Sequence, residues 1–246
     1  MLCDLHTHTI VSGHAYSTLK ENIERAKSKG LKFLGTSEHG EKMPGSVNNV
    51  YFYNMRVIKR NWDGIYLLRG AEANILDYEG SIDVFEEKRT KNLDYLIASL
   101  HTPCIEDGGI VKNTDALIKA MDKNKVRIIG HPDDDRYPID RKEVVRAAKE
   151  KNILIELNNS SLSPLSSRIN ARDNIKELLN YAAECEADFI INSDAHIEYD
   201  VGDFTSACEL LKELNYPQER IINFDDKEDR LFEYLKIDRE KFYEQS

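Results

Sequence analysis

Short apolar runs alternate with longer amphipathic stretches along most of this chain. Seven runs have the length and the β-branched or aromatic content of buried strands: Leu2 to His6, Lys32 to Ser37, Ile65 to Ala71, Tyr95 to Leu100, Val126 to Gly130, Ile153 to Leu157 and Asp188 to Asn192. Between them Ser17 to Lys29, Asp140 to Lys151 and Arg172 to Glu186 predict helices, the first stopped by Gly30. Strand and helix in strict alternation predict an α/β protein with a parallel sheet. Seven βα repeats point to a barrel one strand short of the usual eight, with an open doubly wound sheet as the alternative.

No linker rich in Pro, Gly or Ser interrupts the series. The whole chain, 1–246, therefore reads as one domain: a barrel body over about 1–204, then terminal helices over about 205–246. That tail, carrying Leu210-Leu211, Ile221-Ile222 and Leu231 to Leu235, is expected to pack on the barrel.

Composition narrows the partners. A chain of 246 residues buries a core without staples. Its formal charge of -10 argues against a general nucleic-acid or anionic-membrane binder, so an anionic substrate must meet local positive charge. The cysteines Cys3, Cys104, Cys185 and Cys208 are scattered without a C-x-x-C pair, which suggests neither a disulfide framework nor a cysteine zinc site. With no leader pattern after Met1 and no run long enough to span a bilayer, a cytoplasmic location is expected.

The histidines change the picture. All seven stand at, or in the loop just after, the C-terminal end of a predicted strand, where α/β folds build their active sites. His6, His8 and His14 follow the first strand, His39 the second, His101 the fourth, His131 the fifth and His196 the seventh. Glu72 ends the third strand, and Asp194 stands two residues before His196. In Asp4-Leu5-His6-Thr7-His8 the two imidazoles share one face of extended backbone and can chelate one ion. Asp4, a step deeper, is placed to fix an imidazole tautomer. Glu72, closing the apolar strand Tyr66-Leu67-Leu68, reads as a carboxylate bridging two ions. Nine nitrogen and oxygen ligands exceed what one ion takes, so two or three ions are expected.

Asp4-x-His6-x-His8, His14, Ser37-Glu38-His39, Gly70-x-Glu72, Ser99-Leu100-His101, Gly130-His131-Pro132 and Ser193-Asp194-Ala195-His196 together resemble the PHP (polymerase and histidinol phosphatase) superfamily. Chain length and Glu156-Leu157-Asn158-Asn159-Ser160-Ser161 are most similar to its stand-alone YcdX-type phosphatases. The resemblance implies a distorted TIM-like (β/α)7 barrel and three metal ions, usually zinc, with manganese or iron in relatives. It implies that His6, His8, Glu72 and Asp194 hold one ion, Glu72, His101 and His131 a second, and His14, His39 and His196 a third. His14, alone in its loop, rests mainly on the resemblance.

The activity implied is hydrolysis of a small-molecule phosphate monoester by a metal-activated hydroxide, with Asp194, Glu72 and His196 as catalytic groups. A homo-oligomer, a trimer, is implied as well. For the phosphate, the forked donor Arg168 is the first candidate, followed by Arg136 and Lys42. Cys104 reads as a plain thiol. Two rivals differ in class. An amidohydrolase would cut C–N bonds, but expects eight strands and often a carboxylated lysine where this chain has His101. A proofreading or non-catalytic PHP module of a DNA polymerase would want a basic stripe that the acidic composition does not offer.

Overall fold

The order of elements in the computed structural model, which describes residues 1–84 and 87–244, is β1 Cys3–Asp4, α1 Leu19–Ser28, β2 Phe33–Thr36, α2 Val50–Asn54, β3 Asn61–Trp62 and β4 Ile65–Asn74. It continues through α3 Glu87–Thr90, β5 Tyr95–Ser99, α4 Gly109–Ala120, β6 Val126–Ile129, α5 Arg141–Lys151, β7 Leu154–Asn158, α6 Ala171–Cys185 and β8 Phe189–Asn192. Helices α7 Thr205–Glu213, α8 Glu228–Leu235 and α9 Arg239–Glu244 complete it.

Seven strands pair in parallel in the order β1-β2-β4-β5-β6-β7-β8. First and last then meet: Thr7 bridges Ala195 in parallel, and the His8 N–H donates to the Ala195 carbonyl at 2.8 Å. The sheet is thus a nearly closed barrel rather than an open doubly wound sheet. The short β3, antiparallel to β4, is an addition to the expected set.

Local chemistry sets the helix ends. Thr18 and Glu21 close a reciprocal capping box at the start of α1, and Asp140 accepts from the Glu143 N–H to start α5. The inner faces, such as Ile23 and Ala26 of α1 or Ile175, Leu178, Leu179 and Ala182 of α6, bury against the outside of the barrel.

Alternation along the strands fills the barrel in layers. The lower layer is apolar: Leu5, Phe33, Leu68, Ile97, Ile128, Leu154 and Ile190 form one buried cluster with Leu231, Phe232, Leu235 and Phe242 of α8 and α9. The tail therefore closes the end of the barrel opposite the histidines. The Tyr95 ring crosses the next layer, its hydroxyl donating to the Leu5 carbonyl, and a Cβ at Gly35 or Gly70 would strike that ring. Two residues further along the same strand faces stand Glu72, Glu156 and Asn192, where the interior turns polar. No helix among the described residues is long and apolar enough to cross a membrane.

Candidate metal centre

All seven histidine rings gather at the C-terminal mouth of the barrel. Ring centroids lie 5.1 Å apart for His6 and His8, 4.4 Å for His8 and His39, 4.4 Å for His8 and His196, and 5.3 Å for His101 and His131. His14 joins from its exposed loop, 4.9 Å from the rings of both His39 and His196. The Thr7 hydroxyl, donating to the Gly35 carbonyl at 2.7 Å, anchors the backbone between His6 and His8 so that both rings enter the site.

Glu72 is the hub. One of its oxygens, Oε2, lies 3.2 Å from His6 Nε2, 3.4 Å from His8 Nε2 and 2.8 Å from His39 Nδ1; Oε1 lies 3.1 Å from His101 Nε2 and 2.9 Å from His131 Nε2. Asp194 Oδ1 completes the other side, 3.4 Å from His6 Nε2 and 3.3 Å from His8 Nε2. β4 extends two residues beyond Glu72, so this acid sits inside a strand rather than at its end.

The nitrogens that face the hub are chosen by partners behind the rings. His6 Nδ1 is 2.7 Å from Glu156 Oε1, His8 Nδ1 is 3.1 Å from Ser12 Oγ, which donates to Glu38, and His101 Nδ1 is 2.6 Å from Asn74 Oδ1. His196 Nδ1 lies 2.9 Å from the Asp194 carbonyl. In each of these four rings Nδ1 is thereby held as the donor to its partner, and Nε2 is the nitrogen turned into the site. Glu156 also accepts from the His131 N–H at 2.8 Å and from the amides of Asn158 and Asn192.

In the sequence reading Glu38 and Glu156 figure only within motifs, without this supporting role, and Ser12 and Asn74 are missed. A usable signal existed for Glu156, a lone acid inside an all-apolar predicted strand. Asp4 departs from its expected role: it accepts from Ser193 N and Oγ and from Gly202 N, and so ties the first strand to the last instead of backing an imidazole.

The electrostatics follow from this crowding. Burial opposes charge on His6, yet Glu156, Glu72 and Asp194 outweigh it and lift the imidazole well above the usual histidine range. His8 goes the other way, held well below that range by burial and by His39 and His196. Burial also works against ionised Glu72 and Asp194, but the histidines around them hold both carboxyls well below the ordinary range, Arg168 adding to the effect on Asp194. Two buried site residues take positive φ, His131 at 28° and Asp194 at 54°, a backbone strain that folds keep where a side chain must be aimed.

Whether these groups suit a metal is answered by what they lack. His6 Nε2, His8 Nε2, His39 Nδ1 and Glu72 Oε2 are buried and make no hydrogen bond, although they face one another. Buried polar atoms left without partners are costly unless a bound cation satisfies them, and imidazole with carboxylate is a borderline donor set suited to zinc or its neighbours. Three sets of ligand atoms lie within 4.8 Å of one another: His6, His8 and Asp194; His39, Glu72 and His101; His8, His39 and His196. The donor set therefore fits divalent metal.

Beside the centre lies a cavity of about 200 Å³ whose lining includes Arg168, Arg136, Asp134, Thr102 and Met43. Arg168 Nη2 donates to Asp194 Oδ2 at 2.9 Å, and Nη1 to Asn158 and Ser161. Arg136 is held by Asp134. Lys42 is exposed and does not line this cavity; its backbone N–H donates instead to Asp83 at 2.9 Å. The Cys104 thiol is pushed up to about 12 by burial and by Asp83 and Glu72, which disfavours its thiolate.

Histidines and carboxylates that could hold metal thus gather at the C-terminal mouth of a seven-stranded α/β barrel. Residues 4–200 match the PHP domain family, and the chain belongs to that family. Among its relatives are proteins named "Probable phosphatase" from Clostridium novyi, 47% identical over 95% of this chain and 93% of that protein, and from Clostridium acetobutylicum, 48% identical over 96% and 94%. The fold is shared with a histidinol phosphate phosphatase of Lactococcus lactis, solved with zinc, L-histidinol and phosphate, at a TM-score of 0.57 and 18% identity over 88% of this chain and 94% of that one. The chain is accordingly a hydrolase of the phosphatase class.

Proposed function

We propose that the chain hydrolyses small-molecule phosphate monoesters at a three-ion zinc centre, with manganese or iron as substitutes. The observation that carries this reading is the set of buried, unpartnered nitrogen and oxygen atoms around Glu72. His6, His8, Glu72 and Asp194 would hold one ion and Glu72, His101 and His131 a second. His14, His39 and His196 would hold a third at the exposed rim. The 2.8 Å approach of His39 to Glu72 also favours a shared role for His39 between neighbouring ions. When bound, the ions supply Lewis acidity, lowering the pKa of a water and polarising phosphoryl oxygens.

The protein's own groups do the rest. Arg168, locked on Asp194, Asn158 and Ser161, presents a preorganised guanidinium to a phosphate entering the cavity. Asp194 would hold an ion through Oδ1, while its Oδ2 accepts from Arg168 and orients it. His196 keeps Nδ1–H on a carbonyl and Nε2 free at the rim. Arg136, fixed by Asp134 at the cavity wall, is a contact for the organic part of the substrate. The thiols of Cys104, Cys185 and Cys208 suit a reducing cytoplasm, and family resemblance supports a homotrimer, which light scattering tests against a single chain of 28.3 kDa.

The test is p-nitrophenyl phosphate turnover beside metal analysis of the purified protein. At least two equivalents of metal with turnover is the expected result. Fewer than two after reconstitution, with no turnover, would sink the reading. A panel of phosphorylated metabolites then separates sugar, nucleotide and amino-alcohol phosphates.

A further inference from the structure

Behind the centre, Asp83 is a buried carboxylate with no hydrogen bond to a histidine ring among the described residues, yet it contacts the supports of two of the histidines around Glu72, His39 and His101. The turn from Asp77 to Ser81, in which the Asp77 side chain accepts from Glu79 N and Ser81 N, reverses the chain after β4 and lays Asp83 back against Asn74. Its Oδ1 accepts from Asn74 N at 2.9 Å; its Oδ2 accepts from Lys42 N at 2.9 Å and from Asn74 Nδ2 at 2.6 Å. A Cβ at Gly40 would collide with the same carboxylate, so the chain just after His39 is packed directly on it.

The orientation of an amide is ordinarily ambiguous from heavy atoms, but here its neighbours decide it. Asn74 Nδ2 faces two groups that only accept, Asp83 Oδ2 and the Gly40 carbonyl, so Oδ1 must be the atom turned to His101 Nδ1. His101 Nδ1 then carries the proton, and Nε2, 3.1 Å from Glu72 Oε1, is the nitrogen available to a ligand.

We propose that Asp83 is a positioning residue for the group formed by His39, Glu72 and His101: it fixes the Asn74 amide, which sets the His101 tautomer, and it clamps the loop that carries His39. For its metal consequence this rests on the proposed metal centre; for its tautomer consequence it does not. A positioning role of this kind shows as a weakening of about 10- to 100-fold in metal affinity when the outer partner is removed.

The experiment takes wild type, Asp83→Asn and Asn74→Ala as full-length, metal-free proteins. Long-range nitrogen–proton spectra near pH 7.5 report each imidazole, and zinc titration against a competing chelator reports each binding step. Wild type should show His101 protonated at Nδ1. Both variants should shift it towards the Nε2–H form or a mixture, and should weaken one zinc step 10- to 100-fold while the step belonging to His6, His8 and Asp194 stays within about threefold. If Asp83→Asn does not fold, Asn74→Ala carries the same prediction. An Nε2–H His101 in wild type, an unchanged tautomer in the variants, or equal weakening of every zinc step overturns the proposal. Wild type that binds no zinc while its tautomer responds as stated overturns the metal centre and leaves the positioning role standing.

Discussion

Five imidazoles approach the one carboxylate of Glu72, whereas His14 meets the cluster only at its exposed edge. Losing Glu72 should therefore disturb more than one ion. Glu72→Gln is expected to lower kcat/KM by about a thousandfold or more, and His14→Ala by roughly 10- to 100-fold, measured on p-nitrophenyl phosphate. Equal, mild losses would count against a bridging role. Beneath the histidine rings, burial pushes the Asp4 carboxyl up to about 6 from an unfolded value near 3.8. A carboxyl raised in the folded state keeps its proton there after the unfolded chain has lost it, so its contribution to stability falls as pH rises from about 4 to 6. Denaturation of metal-free wild type and Asp4→Asn should show wild type losing on the order of 2–3 kcal/mol relative to the variant across that window; parallel curves would contradict it. Apart from His14, alone in its loop, the residues that gather at the mouth were legible because they sit in short motifs near strand ends. Their partners were not: Glu156 meets His6 across 150 positions, and only the closed barrel brings them together.

Strand and helix periods were also legible, since each βα unit has an apolar strand and a one-faced helix. The exceptions have local causes. β3 is two residues long, too short for any period to register, and β1 ends at Asp4 because His6 and His8 leave the ladder to enter the site. The loop after β7 carries Arg168, whose position in a stretch of serines gave no hint of its bonds to Asn158, Ser161 and Asp194. Arg168→Ala is expected to raise KM for a phosphate monoester about tenfold or more, with a smaller change for Arg168→Lys, which keeps the charge but loses the fork. Steady-state kinetics decide between this and a purely local loop role, which would leave KM unchanged. At the opposite end, Phe232 of α8 packs edge-on against Phe33, with ring centroids 5.5 Å apart, and is 3% exposed. Phe232→Ala should cost about 3–5 kcal/mol in chemical denaturation. A loss below about 1 kcal/mol would mean that the tail is not part of the cooperative core.

At the scale of the molecule, a chain with a formal charge of -10 concentrates its buried histidines, carboxylates and Arg168 at one mouth and its apolar filling at the other. Three divalent ions there would reverse the local sign and draw in a phosphate that the rest of the surface repels. Ions bound only by the folded state also stabilise it, by about 2.7 kcal/mol for each site at a hundredfold excess over Kd. Chelation should accordingly lower Tm by roughly 5 °C or more in calorimetry. The most direct measurement is zinc titration of chelator-stripped protein with phosphate release followed at each equivalent, in parallel with Glu72→Gln. Turnover that is absent without metal, rises as two to three equivalents bind and fails in the variant is the expected result. Full turnover in metal-free protein, or none in protein carrying three equivalents, would contradict a metal-dependent phosphatase centred on Glu72.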